Sequence, residues 1–475
     1  MLKKIFLVFI VCWCWGYGYS QVSTAEDFFN NGNARVREQE FARAIADYTQ
    51  SLYIDSNYVD AYFNRALAKE KMHDFRGAIR DYSIVIRKNA LNARAYNNRG
   101  LLYVQLEKYE SAVADFSQAI LVNPGYYEAL YNRARLSTEQ KKYSSALADY
   151  SKVLEINPKH AQSYFNRSVI KYIQKNYEGA IFDITKYIEL VPQDVEGYHR
   201  RAVMKMKIND YEGVVSDCQA VLSINKYDFI AQYNKGCAYL MMRRYTLADE
   251  EFRKAMILDK SSRNVFYNRG IARLNNEDYY NAISDFSRAI NISGNDADAY
   301  LNRGIAYMHI NDTILAVNDF IRAVEIKPGF LEAQYNQAVV YMFQKKYSEA
   351  VSLFYDVSQQ NKLDFEALCN LAFVQNEMNN PKAAIQTYSQ ILRQDPGNQV
   401  ILYSKARMQY SLEYFADAIK DFDALIKIEE QDIYYYYRGL AKIQMSNVDS
   451  GCLDLSKSGE LGMQEAYGEI RKHCN

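Results

Sequence analysis

An alanine returns every 34 residues through most of this chain: Ala44, Ala78, Ala112, Ala146, Ala180, Ala248, Ala282, Ala316, Ala350, Ala384 and Ala418, with Val214 as the one break in the series. A period held over that distance means stacked, nearly identical supersecondary units, each burying its apolar face against its neighbours. The 475 residues therefore read as one continuous array, because the period does not pause where ordinary domains would divide.

Each unit has the pattern of two amphipathic helices. In the third, Tyr96, Gly100 and Tyr103 recur at helical spacing, a turn falls at Glu107 and Lys108, and Ala112, Phe116 and Ala119 repeat the spacing. Asn123-Pro124-Gly125 closes the unit, since proline cannot continue a helix and glycine tolerates left-handed backbone. Pro158, Pro192, Pro328 and Pro396 occupy the equivalent place. The first helix carries a small residue where the pair should cross: Gly32, Ala66, Gly100, Ala134, Ser168, Ala202, Gly236, Gly270, Gly304, Ala338, Ala372, Ala406 and Gly439. Four residues after the periodic alanine comes a bulky plug, Tyr48, Tyr82, Phe116, Tyr150, Phe252, Phe286, Phe320, Phe354, Tyr388 or Phe422. Ile184 and Cys218 are smaller plugs, which predicts less firm packing in repeats 5 and 6.

With its 34-residue period, a small residue at the eighth position, alanine at the twentieth, an aromatic at the twenty-fourth and frequent proline at the thirty-second, the chain resembles the tetratricopeptide repeat family over about residues 25 to 465. The family's usual tryptophan at the fourth position is replaced by Tyr62, Tyr96, Tyr164, Tyr198 and Tyr300. The resemblance implies an all-α fold: a right-handed superhelical solenoid of antiparallel helix pairs, about 12 to 13 repeats, with a concave groove lined mainly by first helices and a role in binding proteins or peptides. The expected layout is a signal peptide over residues 1–20, a short segment over 21–24, twelve repeats over 25–432, and a degenerate thirteenth repeat with a capping helix over 433–475.

A second pattern emerges when the repeats are compared with one another. The seventh position is basic in Arg65, Arg99, Arg133, Arg167, Arg201, Lys235, Arg269, Arg303, Lys405 and Arg438, and the twenty-third is acidic from Asp47 through Asp454. Repeats 10 and 11 lose both together, as Gln337 with Leu353 and Leu371 with Thr387. Joint loss predicts that the two positions pair within a repeat, as a ladder of structural ion pairs.

Partner-binding residues are expected on first helices, where repeats 5 to 10 turn apolar: Tyr172, Met206, Tyr233, Met241, Tyr267, Leu274, Met308, Tyr335, Met342 and Phe343. Methionines and aromatics make adaptable binding surfaces, and the same residues also fill gaps between helices. Asn33, Asn64, Arg94 and Asn98 partly resemble the clamp by which some tetratricopeptide repeats hold a terminal carboxylate, but Phe29 stands where that clamp has a lysine. Asparagine recurs at this sixth position, in Asn132, Asn166, Asn234 and Asn268, as part of the repeat itself.

Enzymatic motifs are missing from the sequence. His73, His160, His199, His309 and His473 lie far apart without ligand spacing, and neither a phosphate-binding glycine loop nor a nucleophile elbow occurs. No catalytic, metal or cofactor residue is assigned.

The chain begins with Lys3 and Lys4, an apolar run from Ile5 to Trp15, and Gly18-Tyr19-Ser20 before Gln21, the pattern of a secretory signal peptide cleaved after Ser20. The run is short for a membrane anchor, and Val11 and Trp13 are bulky where lipidation at Cys12 or Cys14 needs a small residue. Removing Lys3 and Lys4 from 57 basic residues leaves 55 against 57 acidic ones, a charge of about −2 that argues against nucleic acid as a partner. At the other end the thirteenth repeat begins one residue early, and Cys452 and Cys474 flank a turn near Met463 at equal distance, so that an antiparallel helix pair brings them level for a disulfide. This ending resembles the capped ends of exported bacterial tetratricopeptide repeat proteins. Cys218, Cys237 and Cys369 read as buried thiols, with a bridge between the first two left open.

The reading as a whole is an exported protein-binding scaffold of the periplasm or cell surface, with a protein or peptide partner and no transmembrane segment in the mature chain. Two alternatives stand beside it: a chaperone-like assembly factor for envelope proteins, and a glycan- or cell-wall-binding module.

Overall fold

The computed structural model describes residues 23–360 and 365–474; the expected signal peptide lies outside them. Among the described residues there are 27 helices and no strand. They form thirteen antiparallel pairs and a final helix, from Ala25–Arg37 with Phe41–Ile54 in repeat 1 to Asp432–Gln444 with Val448–Glu460 in repeat 13, followed by Glu465–His473. Two compact units divide the array: Met1–Lys226 holds repeats 1 to 6 and Tyr227–Asn475 holds repeats 7 to 13.

Left-handed backbone makes the reversal inside each repeat. In repeat 3 the first helix, Ala93–Gln105, ends with Glu107 at φ 57°. The Glu107 N–H donates to the Val104 carbonyl at 3.0 Å and the Lys108 N–H to the Tyr103 carbonyl at 2.8 Å. This is the Schellman arrangement, which satisfies carbonyls that a helix end leaves open. It recurs in all thirteen repeats, at Gln39, His73, Glu107, Lys141, Lys175, Asn209, Arg243, Glu277, Asn311, Lys345, Asn379, Glu413 and Ser446, none of them glycine. Between repeats the expected use of Gly125 is corrected. Its φ is not positive; the stop is made by Asn123, whose side-chain oxygen accepts from the Gly125 N–H at 3.1 Å in an Asx turn. Asn89, Asn157 and Asp259 make the same turn. Among the described residues only Gly329, at φ 79° after Pro328, uses glycine's freedom in a link between repeats, in a type II turn closed by the Phe330 N–H on the Lys327 carbonyl.

The periodic residue of the second helix, Val214 included, has no exposure in any of its twelve occurrences. Nine of the ten aromatic plugs are equally buried, Tyr388 being half-exposed, and the smaller plugs Ile184 and Cys218 are buried as well. In repeats 1, 3, 7, 8 and 9, where the first helix carries glycine, the plug ring lies directly on it: a Cβ built on Gly100 would stand 2.7 Å from Phe116 Cε1, and one on Gly304 2.5 Å from Phe320 Cε1. Any side chain there would displace the ring.

In repeats 2 to 9, 12 and 13 the basic and acidic positions form charge-assisted, mostly bidentate bonds within the repeat, Arg99 to Asp115 at 2.7 and 2.8 Å and Arg303 to Asp319 at 2.7 Å twice. Six of these arginines also reach backwards. Their Nη1 donates to a hydroxyl on the second helix of the preceding repeat, so that Arg65 meets Thr49, Arg99 meets Ser83, Arg133 meets Ser117, Arg167 meets Ser151, Arg201 meets Thr185, and Arg303 meets Ser287, at 2.9 to 3.1 Å. The ladder thus fastens neighbouring repeats as well as the two helices of one.

At the end of the second compact unit, Gly439 and Gly451 let two backbones meet; a Cβ on Gly451 would lie 2.6 Å from the Gly439 carbonyl oxygen. The final helix covers this repeat with Tyr467 against Gly459, and a disulfide joins Cys452 to Cys474 across Cα atoms 5.8 Å apart. Cys218, Cys237 and Cys369 remain thiols. Closing a loop of 22 residues restricts the unfolded chain by about 3 kcal/mol. Cys474→Ser is therefore expected to raise hydrogen exchange in Glu465–His473 by two orders of magnitude while leaving exchange in repeats 7 to 12 unchanged. Equal protection in both proteins would mean that Tyr467 and Ala466 hold the helix without the bridge.

Candidate binding surface

First helices expose the side chains that the helix crossing does not consume. In the first compact unit, repeats 4 to 6 (first helices Tyr127–Glu139, Ala161–Ile173 and Val195–Lys207) carry two hollows that share Arg200. One, about 290 Å³, is floored by Phe165 and Val169 and flanked by Arg135, Thr138 and Asn166. The other, about 200 Å³, is lined by Tyr172, Val203 and Met204 with Glu196 and His199. The Arg200 guanidinium stands 4.9 Å from the Phe165 ring centroid, and its Nε donates to Glu196 Oε1 at 2.6 Å. Apolar floors beside fixed cations and amide groups suit an extended peptide that alternates apolar and polar side chains.

The expected groove residues divide by burial. Met241 and Phe343 are exposed; the other eight are half-buried. Tyr172, Tyr233, Met308, Tyr335 and Met342 pack against the cores of their own repeats, and Tyr267 against that formed by Phe266, Ala289 and Ala299. Three of the tyrosine hydroxyls are engaged by the next repeat: Asn268 Nδ2 donates to Tyr233 at 2.8 Å, Asn302 to Tyr267 at 3.2 Å and Asn370 to Tyr335 at 3.0 Å. The sixth-position asparagine is thus the polar seam between repeats.

The residues that resemble a carboxylate clamp belong to the same seam. Asn33 Oδ1 accepts from the Tyr48 hydroxyl at 2.7 Å and from Asn64 at 2.8 Å, while Asn98 donates to the Tyr82 hydroxyl at 3.2 Å. Arg94 lies 5.0 Å from the Phe63 ring centroid. Burial pushes the Tyr48 phenol up to about 12 and the Cys237 thiol up to about 11, so both stay protonated at neutral pH. Among the described residues no group of histidine, cysteine and carboxylate side chains is arranged to hold a metal, and no helix is long and apolar enough to cross a membrane.

Sequence reasoning found Tyr172 but missed its neighbours. The available signal was substitution within the repeat: Arg200 stands where most repeats have asparagine, and Arg135 and Val169 occupy the ninth position, just beyond the small residue.

Sequence models of the tetratricopeptide repeat match residues 93–126, 127–160, 297–330 and 341–407. No curated protein matches the chain. Among solved structures, the C-terminal part of a TPR repeat-containing protein from Cytophaga hutchinsonii is 20% identical, covering 51% of this chain and 99% of that one with a TM-score of 0.45. A tetratricopeptide repeat protein from Parabacteroides merdae is 22% identical over 52% of this chain and 98% of its own, with a TM-score of 0.35. YrrB, described as a TPR protein with an unusual peptide-binding site, is 23% identical over 39% of this chain and 96% of its own, with a TM-score of 0.36. Matched by the family's sequence models in both compact units, and built from helix pairs that keep its 34-residue period, the chain is a tetratricopeptide repeat protein.

Proposed function

We propose that the chain is an exported scaffold that holds an extended peptide or protein segment along the first helices of repeats 4 to 6. The observation that carries this reading is the pair of adjoining hollows around Arg200, where Phe165, Val169, Tyr172 and Val203 offer apolar anchorage beside Arg135 and Arg200. Val203 is 44% exposed in the second hollow, so an incoming side chain reaches it without any rearrangement. Peptide is favoured over glycan because the hydroxyl edges of Tyr233, Tyr267 and Tyr335, which a sugar platform would need, already accept from the asparagines of following repeats.

Export rests on the signal-peptide pattern before Gln21. Cell fractionation with N-terminal sequencing should recover the mature chain from the envelope or medium, beginning at Gln21. A cytosolic chain that retains Met1 would remove that part of the reading. For the partner, a photoreactive residue replacing Val203 is compared in intact cells with one replacing Leu121, which is 73% exposed on the second helix of repeat 3. One discrete protein captured only from position 203 supports the scaffold. Many unrelated envelope proteins would favour the chaperone-like alternative, and equal capture from both positions would refute a binding surface on these first helices.

A further inference from the structure

Between the second helices of repeats 7 and 8, Tyr245–Leu258 and Tyr279–Ile292, lies a cleft of about 620 Å³, away from the first-helix surface and within the second compact unit. Its base is a rung of the ion-pair ladder, Arg269 with Asp285, and Arg269 is only 7% exposed. This rung differs from its neighbours in one respect. The hydroxyl that meets the arginine Nη1 in repeats 2 to 6 and 9 is absent, because repeat 7 carries Arg253 at that position. Arg269 uses Nε and Nη2 on Asp285, and its Nη1 has no hydroxyl to meet.

The cleft holds three cations, Lys260, Arg269 and Arg288, against the single carboxylate of Asp285, which already accepts from Arg269 and Arg273. Its other walls are mainly apolar, from Met256, Ile257, Phe266 and Ile292, with Ser284 and Asn291 beside them. A cleft of about 500 Å³ beside Arg133 provides the contrast, since there Ser117 closes the guanidinium at 2.9 Å.

We propose that the cleft between repeats 7 and 8 binds a carboxylate that carries an apolar body, the acid meeting Arg269 Nη1 and Arg288 and the body lying against Met256, Phe266 and Ile292. A buried guanidinium with one open edge recognises a carboxylate strongly. The apolar walls disfavour a phosphate, whose remaining charged oxygens would be left against hydrocarbon. A free organic acid and the C-terminus of a peptide share this chemistry.

Titration calorimetry of the full chain at low salt separates the sources, using 3-phenylpropanoate and the peptide Gly-Gly-Phe with either a free or an amidated terminus. Both acids are expected to bind and the amide to bind at least about tenfold more weakly. A tighter peptide acid identifies a chain terminus as the ligand, and a tighter phenylpropanoate identifies a small acid. Because Arg269 also holds the fold, the decisive variants leave it in place. Arg253→Ser restores the missing hydroxyl, caps Nη1, and should weaken acid binding about tenfold, whereas Arg253→Ala removes the same charge without supplying an acceptor and should retain it. Amide binding equal to acid binding, Arg253→Ser binding like the unaltered protein, or an equal loss in both Arg253 variants would each overturn the proposal, as would the absence of binding by either acid.

Discussion

Asp319→Ala should lower the local stability of repeat 9 by about 3 to 5 kcal/mol, read from hydrogen exchange in the helix Thr313–Ile326. The side chains of Arg303 and Asp319 are 18% and 8% exposed, so removing the carboxylate strands a guanidinium that water reaches poorly. Desolvation pushes the Asp319 carboxyl above its ordinary range, with Arg303 opposing, which marks a pair that is costly to bury and more costly to break. Its replacement by uncharged groups is a different matter. Repeats 10 and 11 are folded with Gln337 and Leu353, and with Leu371 and Thr387, at these positions. Leu371 is 2% exposed there and Thr387 donates to Gln375 at 2.8 Å. The double variant Arg303→Gln with Asp319→Leu should accordingly stay within about 1 kcal/mol of the unaltered protein. Equal losses in the single and double variants would assign the effect to side-chain volume and not to the stranded charge. Local exchange is the appropriate readout because a repeat array need not unfold in one step.

Phe320→Ala is expected to cost about 5 kcal/mol, the upper end for an aromatic truncated in a core. The ring is fully buried and lies on Gly304, so nothing on the opposing helix can move into the space it vacates. Phe354 is equally buried but faces Ala338, whose methyl occupies part of the corresponding volume. Phe354→Ala should therefore cost less, by about 0.5 to 1 kcal/mol, from the dependence of such losses on residual cavity size. Identical losses at the two sites would mean that the helices collapse equally with or without that methyl. The chain's own variation agrees with the packing logic: in repeats 1, 3, 7, 8 and 9 glycine at the crossing faces an aromatic plug, whereas the smaller Ile184 and Cys218 face Ser168 and Ala202.

What the sequence displayed, and what it hid, follows from how many residues each feature repeats over. The twentieth-position alanine and the twenty-fourth-position plug are fixed by close packing at every crossing, so they survive as a period and lead directly to the helix pair. The acid and base of the ladder surface through their joint loss in repeats 10 and 11. The backward bond to Thr49, Ser83 or Ser117 escaped notice because serine and threonine are common on helices and that position carries no charge to trace. Turn chemistry misled in a different way. Gly125 invites a left-handed reading, but Asn123 makes the stop, while the left-handed residues are Glu107, Lys141 and their counterparts, whose side chains do not advertise the conformation. The binding surface was least legible, since a half-buried Tyr233 or Met308 has the same sequence signature whether it fills a gap or receives a partner. Burial and the Asn268 bond separate the two roles only in three dimensions.

The thirteen left-handed reversals have a kinetic side. Each is closed by bonds that span no more than six residues, Lys108 to Tyr103 being typical, and the helices it joins pack at once on each other. Loop closure over such short distances costs little entropy, so a hairpin can form on the microsecond scale before distant parts of the chain exist. A ribosome or translocation pore that releases this chain from its N-terminus therefore never has to hold an unfinished core open. Every further 34 residues complete one more hairpin and bury the apolar face left by the last, and the growing end exposes a single repeat's worth of sticky surface until the final helix arrives to close it.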